Sequence, residues 1–281
     1  MENQKHCADL FRRRSFTDKF SDTADFVGAC WKPLLRILSA VLVPLCLLQT
    51  FSGSAAALGA TAGKAEILGF SSGLLCSSLL QFIGSVFVII TVYGMMQVYH
   101  KCGGDGHPEY ADLNRLSAKQ LYAAARPQMR PIGRIVYSFV LLCAVAVALT
   151  VAVAMAAGAL TAAVSGSEKA LAVVCVVFAL LLLLAMPFWV LAVPAYALDG
   201  LDFRAGMARA IHYGFRTWGG IVAIMTVFSV GGMAVALPFA LLPSYAGGFA
   251  SSYIIYMVQA AELVALGYQY GHAKAKVGEA E

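Results

Sequence analysis

The chain has 281 residues, of which 60% are hydrophobic and only 12% are charged. Ordinary soluble domains are about 25% charged, so a soluble fold of this composition would leave apolar surface uncovered. The composition therefore excludes a cytosolic enzyme, a disordered chain and a secreted disulfide module. The net charge is +5, and the distribution of the basic residues indicates membrane orientation and no binding of nucleic acid.

Six apolar stretches are long enough to cross a bilayer, for which a helix needs about 20 residues. Their approximate bounds are 34–50, 73–98, 135–160, 170–198, 220–242 and 253–268. Of the 20 basic residues, only Lys64 and Lys169 lie on the side of the predicted bundle away from the termini. Because basic segments stay in the cytoplasm, we expect both termini to be cytoplasmic.

A repeated pattern accompanies these spans. Lys-Pro-Leu-Leu-Arg-Ile at 32–37 matches Arg-Pro-Ile-Gly-Arg-Ile at 130–135, and apolar residues spaced along 16–34 match those along 203–221. They recur every three to four residues, which predicts an amphipathic helix lying in the headgroup plane. Ser15 and Asp18 are suited to cap the first of these helices. A true triplication and a convergence of membrane-entry signals both remain open.

The predicted fold is all-α, a polytopic membrane helical bundle. Six transmembrane helices form three pseudo-repeated units, each an interfacial amphipathic helix followed by a transmembrane hairpin. A single integral membrane domain is expected over 1–281, with units at about 15–100, 113–200 and 201–272. A basic N-terminal tail covers 1–14 and a C-terminal tail covers 273–281.

The segment at 206–220 reads Gly-Met-Ala-Arg-Ala-Ile-His-Tyr-Gly-Phe-Arg-Thr-Trp-Gly-Gly. It resembles the region before span five in a group of bacterial six-span membrane proteins, which includes the membrane domains attached to some glycerophosphodiester phosphodiesterases. The segment at 16–38 resembles the N-terminal entry of that group. The resemblance implies a multi-pass protein of the bacterial inner membrane. Only about a dozen residues follow span six, so the separate catalytic domain of the phosphodiesterases is not expected here.

Glu262 is the one carboxylate deep inside a predicted span. An acid there costs roughly 2.5 kcal/mol or more, so its surroundings must offset that cost. Gln259 and Tyr256 lie three and six residues before it, and span two carries Gln81 and Ser85 at a similar depth. The candidate intramembrane polar site is therefore Glu262, Gln259, Gln81 and Ser85. It is either a polar or proton-titrating path, or a set of hydrogen bonds that pins two helices together.

Five arginines are predicted to contact lipid headgroups. Arg12, Arg13 and Arg14 precede the first amphipathic helix, and near anionic lipid each contributes about 1 kcal/mol. Arg36 and its repeat counterpart Arg134 lie about one turn inside their spans, from which they reach the lipid phosphates. A specific binding partner is the alternative for the run at 12–14.

No catalytic motif occurs with the structural context that its chemistry needs. We therefore expect no enzymatic activity, no catalytic residues, no cofactor and no metal. The expected function is a non-enzymatic, lipid-facing accessory or scaffold role in the bacterial inner membrane, with membrane lipids or a membrane protein as partners. The alternative is a transporter of a small solute or lipid, with a polar site around Glu262.

Overall fold

The computed structural model describes residues 10–59, 64–104, 190–242 and 244–278. These residues contain no strand and form five helices: α1 Phe16–Gly59, α2 Lys64–Gly104, α3 Val190–Asp199, α4 Phe203–Ala240 and α5 Ser244–Gly278. Each of α1, α2, α4 and α5 contains a stretch long and apolar enough to cross a membrane. The chain is therefore a helical, membrane-integral protein.

Four of the six predicted spans coincide with these long helices. Of the other two, 135–160 lies outside the described residues, and 170–198 does so except for the part within α3. Most of the middle repeat unit, 113–200, lies outside them as well. The total of six spans and the threefold repeat therefore stay predictions.

α1 is one continuous helix of 44 residues. Ser15 Oγ accepts a hydrogen bond from the backbone N–H of Asp18 at 3.1 Å, and the Ser15 N–H donates to Asp18 Oδ2 at 2.9 Å. These reciprocal bonds confirm the predicted cap. The amphipathic segment expected to lie separately in the headgroup plane is instead the first part of α1, because the helix continues through Pro33 without a break.

A single buried stripe explains why α1 continues past this proline. Proline removes one backbone hydrogen bond from a helix interior, but the packed positions continue at helical spacing on both sides of it. The buried apolar side chains are Phe26, Cys30, Leu34, Leu38, Leu42, Leu45 and Cys46. One packing surface therefore supports both the predicted interfacial segment and the span.

The stripe of α1 packs against α2 and α5, which also pack against each other. Near the start of α1, the Phe26 ring meets Tyr99 of α2 edge to face, with ring centroids 5.3 Å apart. Towards its other end, Thr50 lies against Gly248 at the beginning of α5. α1 therefore runs antiparallel to both helices, and the three form one compact unit with α4 from Val222 onwards.

From Val222 onwards, α4 has one packed side and one exposed apolar side. Its Phe228 ring stacks on Phe20 of α1 at 5.8 Å between centroids. A Cβ atom placed on Gly232 would lie 2.9 Å from Val258 Cγ1 of α5, so these two helices approach closely. The exposed side chains include Val227, Val230, Met233, Val235, Leu237 and Phe239. Such an apolar face suits contact with lipid hydrocarbon.

The second compact unit contains α3 and the first part of α4, up to Ile221. Gly200 ends α3 with a φ of 64°, a left-handed conformation that glycine adopts at little cost. The Tyr196 ring then stacks on Phe203, and its hydroxyl donates to the Phe203 carbonyl at 3.2 Å. Within α4 the backbone leaves helical geometry at Thr217, which divides the helix into two segments.

Candidate functional site

Three polar side chains meet between α1, α2 and α5. Gln49 Nε2 donates to Gln81 Oε1 at 2.8 Å and to the Tyr256 hydroxyl oxygen at 3.1 Å. The Tyr256 hydroxyl in turn donates to Gln81 Oε1 at 3.2 Å. Gln49, Gln81 and Tyr256, which we call the polar cluster, thus join all three helices through a closed set of hydrogen bonds.

Two of the three side chains of the polar cluster are buried, and Gln81 is exposed. Tyr256 is fully buried and Gln49 is 6% exposed. In hydrocarbon a polar group without a partner is costly, so mutual hydrogen bonding favours the assembled helices. Among the described residues Gln49 Oε1 has no hydrogen-bond partner, which leaves one acceptor of the cluster unused.

Gly84 of α2 allows Tyr256 to reach the polar cluster. A Cβ atom at Gly84 would clash with the Tyr256 hydroxyl oxygen and would lie 2.5 Å from Tyr256 Cζ. Only a hydrogen at this position leaves room for the ring between α2 and α5. The polar cluster is therefore tightly packed as well as hydrogen-bonded.

The predicted site residues of α2 and α5 are partly brought together. Ser85 Oγ donates to Gln259 Oε1 at 3.4 Å, one turn along both helices from Gln81 and Tyr256. Glu262 is half-buried one further turn along α5, and among the described residues no hydrogen bond joins it to Gln81, Ser85 or Gln259. The structure thus pairs the two predicted stripes, with Glu262 outside their hydrogen bonds.

Glu262 interacts electrostatically with Tyr93 of α2. The Tyr93 hydroxyl is buried and has no hydrogen-bond partner among the described residues. Glu262 of α5 and Tyr93 of α2 are therefore a second pair of polar residues that interact between these two helices.

At the far end of α1 from the polar cluster, residues 10–15 pack against the last turns of α5. The Arg14 backbone N–H donates to His272 Nδ1 at 2.9 Å, and the Arg14 guanidinium lies 4.7 Å above the Tyr268 ring. The guanidinium also forms an ion pair with Asp22 and donates to the Leu10 carbonyl at 2.8 Å. This N-terminal segment therefore holds the start of α1 against α5.

These contacts correct one of the five arginine predictions. The Arg14 side chain is completely buried and is bound inside the protein, so it does not contact lipid headgroups. Arg12 pairs with Asp22 at 3.0 Å and remains largely exposed, as are Arg13 and Arg36. Arg134 lies outside the described residues.

Sequence reasoning missed Gln49 and the inward position of Arg14. Gln49 is a lone amide in an otherwise apolar stretch of span one, so it has no periodic neighbours that mark a polar face. The signal available was its position near the same end of the bundle as Gln81. For Arg14, the available signal was the acidic Asp22 on an amphipathic helix that follows a basic tail.

Comparison of the chain with protein-family models, with curated proteins and with solved structures gives no match.

Proposed function

We propose that this chain is a non-enzymatic, lipid-facing scaffold or accessory protein of the membrane. The observation that supports the proposal is that the polar side chains of α1, α2 and α5 bind one another. Gln49 and Tyr256 are buried and hydrogen-bonded to each other and to Gln81. Hydrogen bonds of this kind hold transmembrane helices together, each with an average contribution of about 0.6 kcal/mol.

The surface of α4 supports the lipid-facing part of the proposal. Its exposed residues from Val227 to Phe239 are apolar apart from Ser229, whereas the interhelical contacts are made by its other side. A scaffold in a bilayer needs such a division, with close packing inside and a hydrocarbon-compatible surface outside. Membrane lipids, or a membrane protein that meets the same surface, are the partners that fit it.

For location we propose the bacterial inner membrane, with both termini cytoplasmic. The proposal follows from the basic segments flanking the spans and from the resemblance to the bacterial six-span group. The contact of residues 10–14 with Tyr268 and His272 is consistent with it, because it brings the two ends of the described chain to the same side.

Water access to position 262 tests the scaffold proposal. Glu262→Cys is introduced into a chain whose seven native cysteines are replaced, and a membrane-impermeant maleimide is applied from each side. Arg13→Cys, at an exposed position, is the positive control, and Leu263→Cys, at a position 8% exposed, is the packed control. We expect labelling at 13 and none at 262 or 263 in folded protein. Labelling at 262 from either side would overturn the packed interior.

Lipid association supplies the second test. A lipid-facing scaffold purified in a mild detergent is expected to retain lipid at a defined stoichiometry, measured by native mass spectrometry. Recovery of detergent alone would contradict the lipid-facing role, whatever the result at position 262.

Transport of a small solute or lipid is the second candidate function. It is favoured by two buried polar atoms that have no hydrogen-bond partner among the described residues, the Tyr93 hydroxyl and Gln49 Oε1. Ionisable groups within a membrane span mark substrate or proton paths in many transporters. In that case the maleimide experiment labels position 262, and Glu262→Gln abolishes uptake while the protein still assembles.

A further inference from the structure

Lys19 is a buried cation in the first turns of α1. Its residue is only 4% exposed. Among the described residues its ammonium group makes no hydrogen bond and no ion pair, and its electrostatic interactions are with Arg14, Lys276 and Asp18. Two of these three neighbours are cations. A buried charge is costly unless an anion compensates it.

The nearby carboxylates are already engaged elsewhere. Asp18 accepts the hydrogen bond from the Ser15 N–H that caps α1. Asp22 pairs with both Arg12 and Arg14. The described protein therefore has an excess of positive charge around Lys19.

His272 provides a hydrogen-bond donor near these positive charges. Its Nδ1 accepts the hydrogen bond from the Arg14 N–H, so the proton of the neutral ring is on Nε2, which is a donor. Arg13, Arg14, Lys19 and Lys276 all act on His272 electrostatically. We call Arg13, Lys19, His272 and Lys276 the basic site. Arg14, whose guanidinium is bound to Asp22, adds positive charge beside it.

The backbone around the basic site is held in place by close packing. The carbonyl oxygen of Leu10 lies directly against the Cα of Gly271, where a Cβ atom would clash with it. This contact and the Arg14–His272 bond hold residues 10–14 beside the last turns of α5. The backbone that carries Arg13 and His272 is therefore held in place, and Lys19 follows in the first turns of α1 with a buried side chain.

We propose that the basic site binds a phosphate-bearing anion, with the Lys19 ammonium as its main charge partner. A phosphate group offers several strong acceptor oxygens and negative charge, which match an ammonium and an imidazole N–H within a cationic environment. Two sources carry this chemistry, a phospholipid headgroup and a free phosphate. The proposal does not depend on the scaffold role, because it concerns the end of α1 away from the polar cluster.

Binding is measured with the full chain in a neutral detergent at low salt, by isothermal titration calorimetry. The two probes are inorganic phosphate and short-chain dioctanoyl phosphatidylglycerol. Lys19→Gln removes the buried charge and keeps a polar side chain. Lys32→Gln is the matched control, because Lys32 is an exposed lysine on the same helix. Thermal unfolding shows that each variant is folded.

We expect at least one probe to bind the wild type, Lys19→Gln to weaken that binding about tenfold, and Lys32→Gln to change it less than about twofold. Binding of both probes indicates that the phosphate group alone is recognised, and binding of the lipid alone identifies a headgroup site. If neither probe binds, or if Lys19→Gln binds as the wild type does, the proposal is wrong.

If Lys19→Gln does not fold, Lys276→Gln tests the same site. Lys276 is exposed, so its replacement should leave the fold intact and remove only its long-range attraction for the phosphate anion. Lys276→Gln is expected to weaken phosphate binding roughly threefold at low salt and to leave it unchanged at high salt. If Lys276→Gln binds the probe as tightly as the wild type does at low salt, the proposal is wrong. Neither result bears on labelling at position 262, so the basic site and the scaffold role fail separately.

Discussion

Gly84→Ala tests whether the polar cluster holds α1, α2 and α5 together. The new Cβ atom would clash with the Tyr256 hydroxyl oxygen and lie 2.5 Å from Tyr256 Cζ. Because Tyr256 is fully buried, its ring has no free space to enter, and the substitution must separate α2 from α5 or move the ring away from Gln49.

The expected loss of stability follows from these two consequences. Overpacking of a tight interior costs about 1–3 kcal/mol. Displacing the Tyr256 hydroxyl also weakens its bonds to Gln49 and Gln81, at about 0.6 kcal/mol each. We therefore expect Gly84→Ala to lower the free energy of unfolding by about 2–4 kcal/mol.

Gly94→Ala is the matched control on the same helix, because a Cβ at Gly94 meets nothing within 4 Å. It is expected to change the free energy of unfolding by less than about 1 kcal/mol, in the stabilising direction. Unfolding by sodium dodecyl sulfate from maltoside micelles, followed by tryptophan fluorescence, measures both variants. Equal stability of the two variants would refute the packing argument. Adding Tyr256→Phe to Gly84→Ala should recover part of the loss, because it removes the nearest clashing atom.

Two further predictions concern the start of α1. Ser15→Ala removes the oxygen that accepts a hydrogen bond from the Asp18 N–H, and we expect it to destabilise the protein by about 1 kcal/mol. The first turn of α1 should fray, which hydrogen exchange measures. Unchanged exchange at residues 16–19 would contradict this prediction. Gly271→Ala places a methyl group against the Leu10 carbonyl oxygen, so residues 10–14 should detach from α5 and become accessible to limited proteolysis. Gly28→Ala is the control, because a methyl group there enters open space and should leave residues 10–14 protected.

The long helices were predictable because the length of an apolar stretch and the charges that flank it are properties of one segment of the sequence. A stretch of about 20 apolar residues must cross the bilayer as a helix, since its backbone has no other way to satisfy its hydrogen bonds. The pairing of Ser85 with Gln259 was also accessible, because each lies on a polar stripe whose helical period shows in the sequence. Both inferences need only the residues of one segment at a time.

The features that sequence reasoning missed depend on contacts between distant segments. Gln49 and Tyr256 are separated by 207 positions, and a single amide in an apolar helix does not specify which helix it meets. The sequence predicts a lipid contact for Arg14, because basic residues before a span usually lie at the surface. Its burial depends on an ion pair with Asp22 of α1 and on the Tyr268 ring, which lies beside it only after α1 and α5 have packed.

The positions of these missed contacts bear on the choice between a scaffold and a transporter. The polar cluster fastens α1 to α5 through Gln49 and Tyr256, whereas the N-terminal segment fastens the same two helices through Arg14 and His272.

Alternating access requires one group of helices to rock against another, so that the path opens first at one end and then at the other. A transporter that moved α1 against α5 would break the buried Gln49–Tyr256 bond and the part-buried Arg14–His272 bond in turn. Motion of α4 breaks neither bond, because both bonds join α1 to α5. The contacts of α4 with these helices that the described residues show include the apolar ones of Phe228 and Gly232. If the protein does transport a solute, the moving element is therefore expected to be α4, and cross-linking α1 to α5 should leave transport intact.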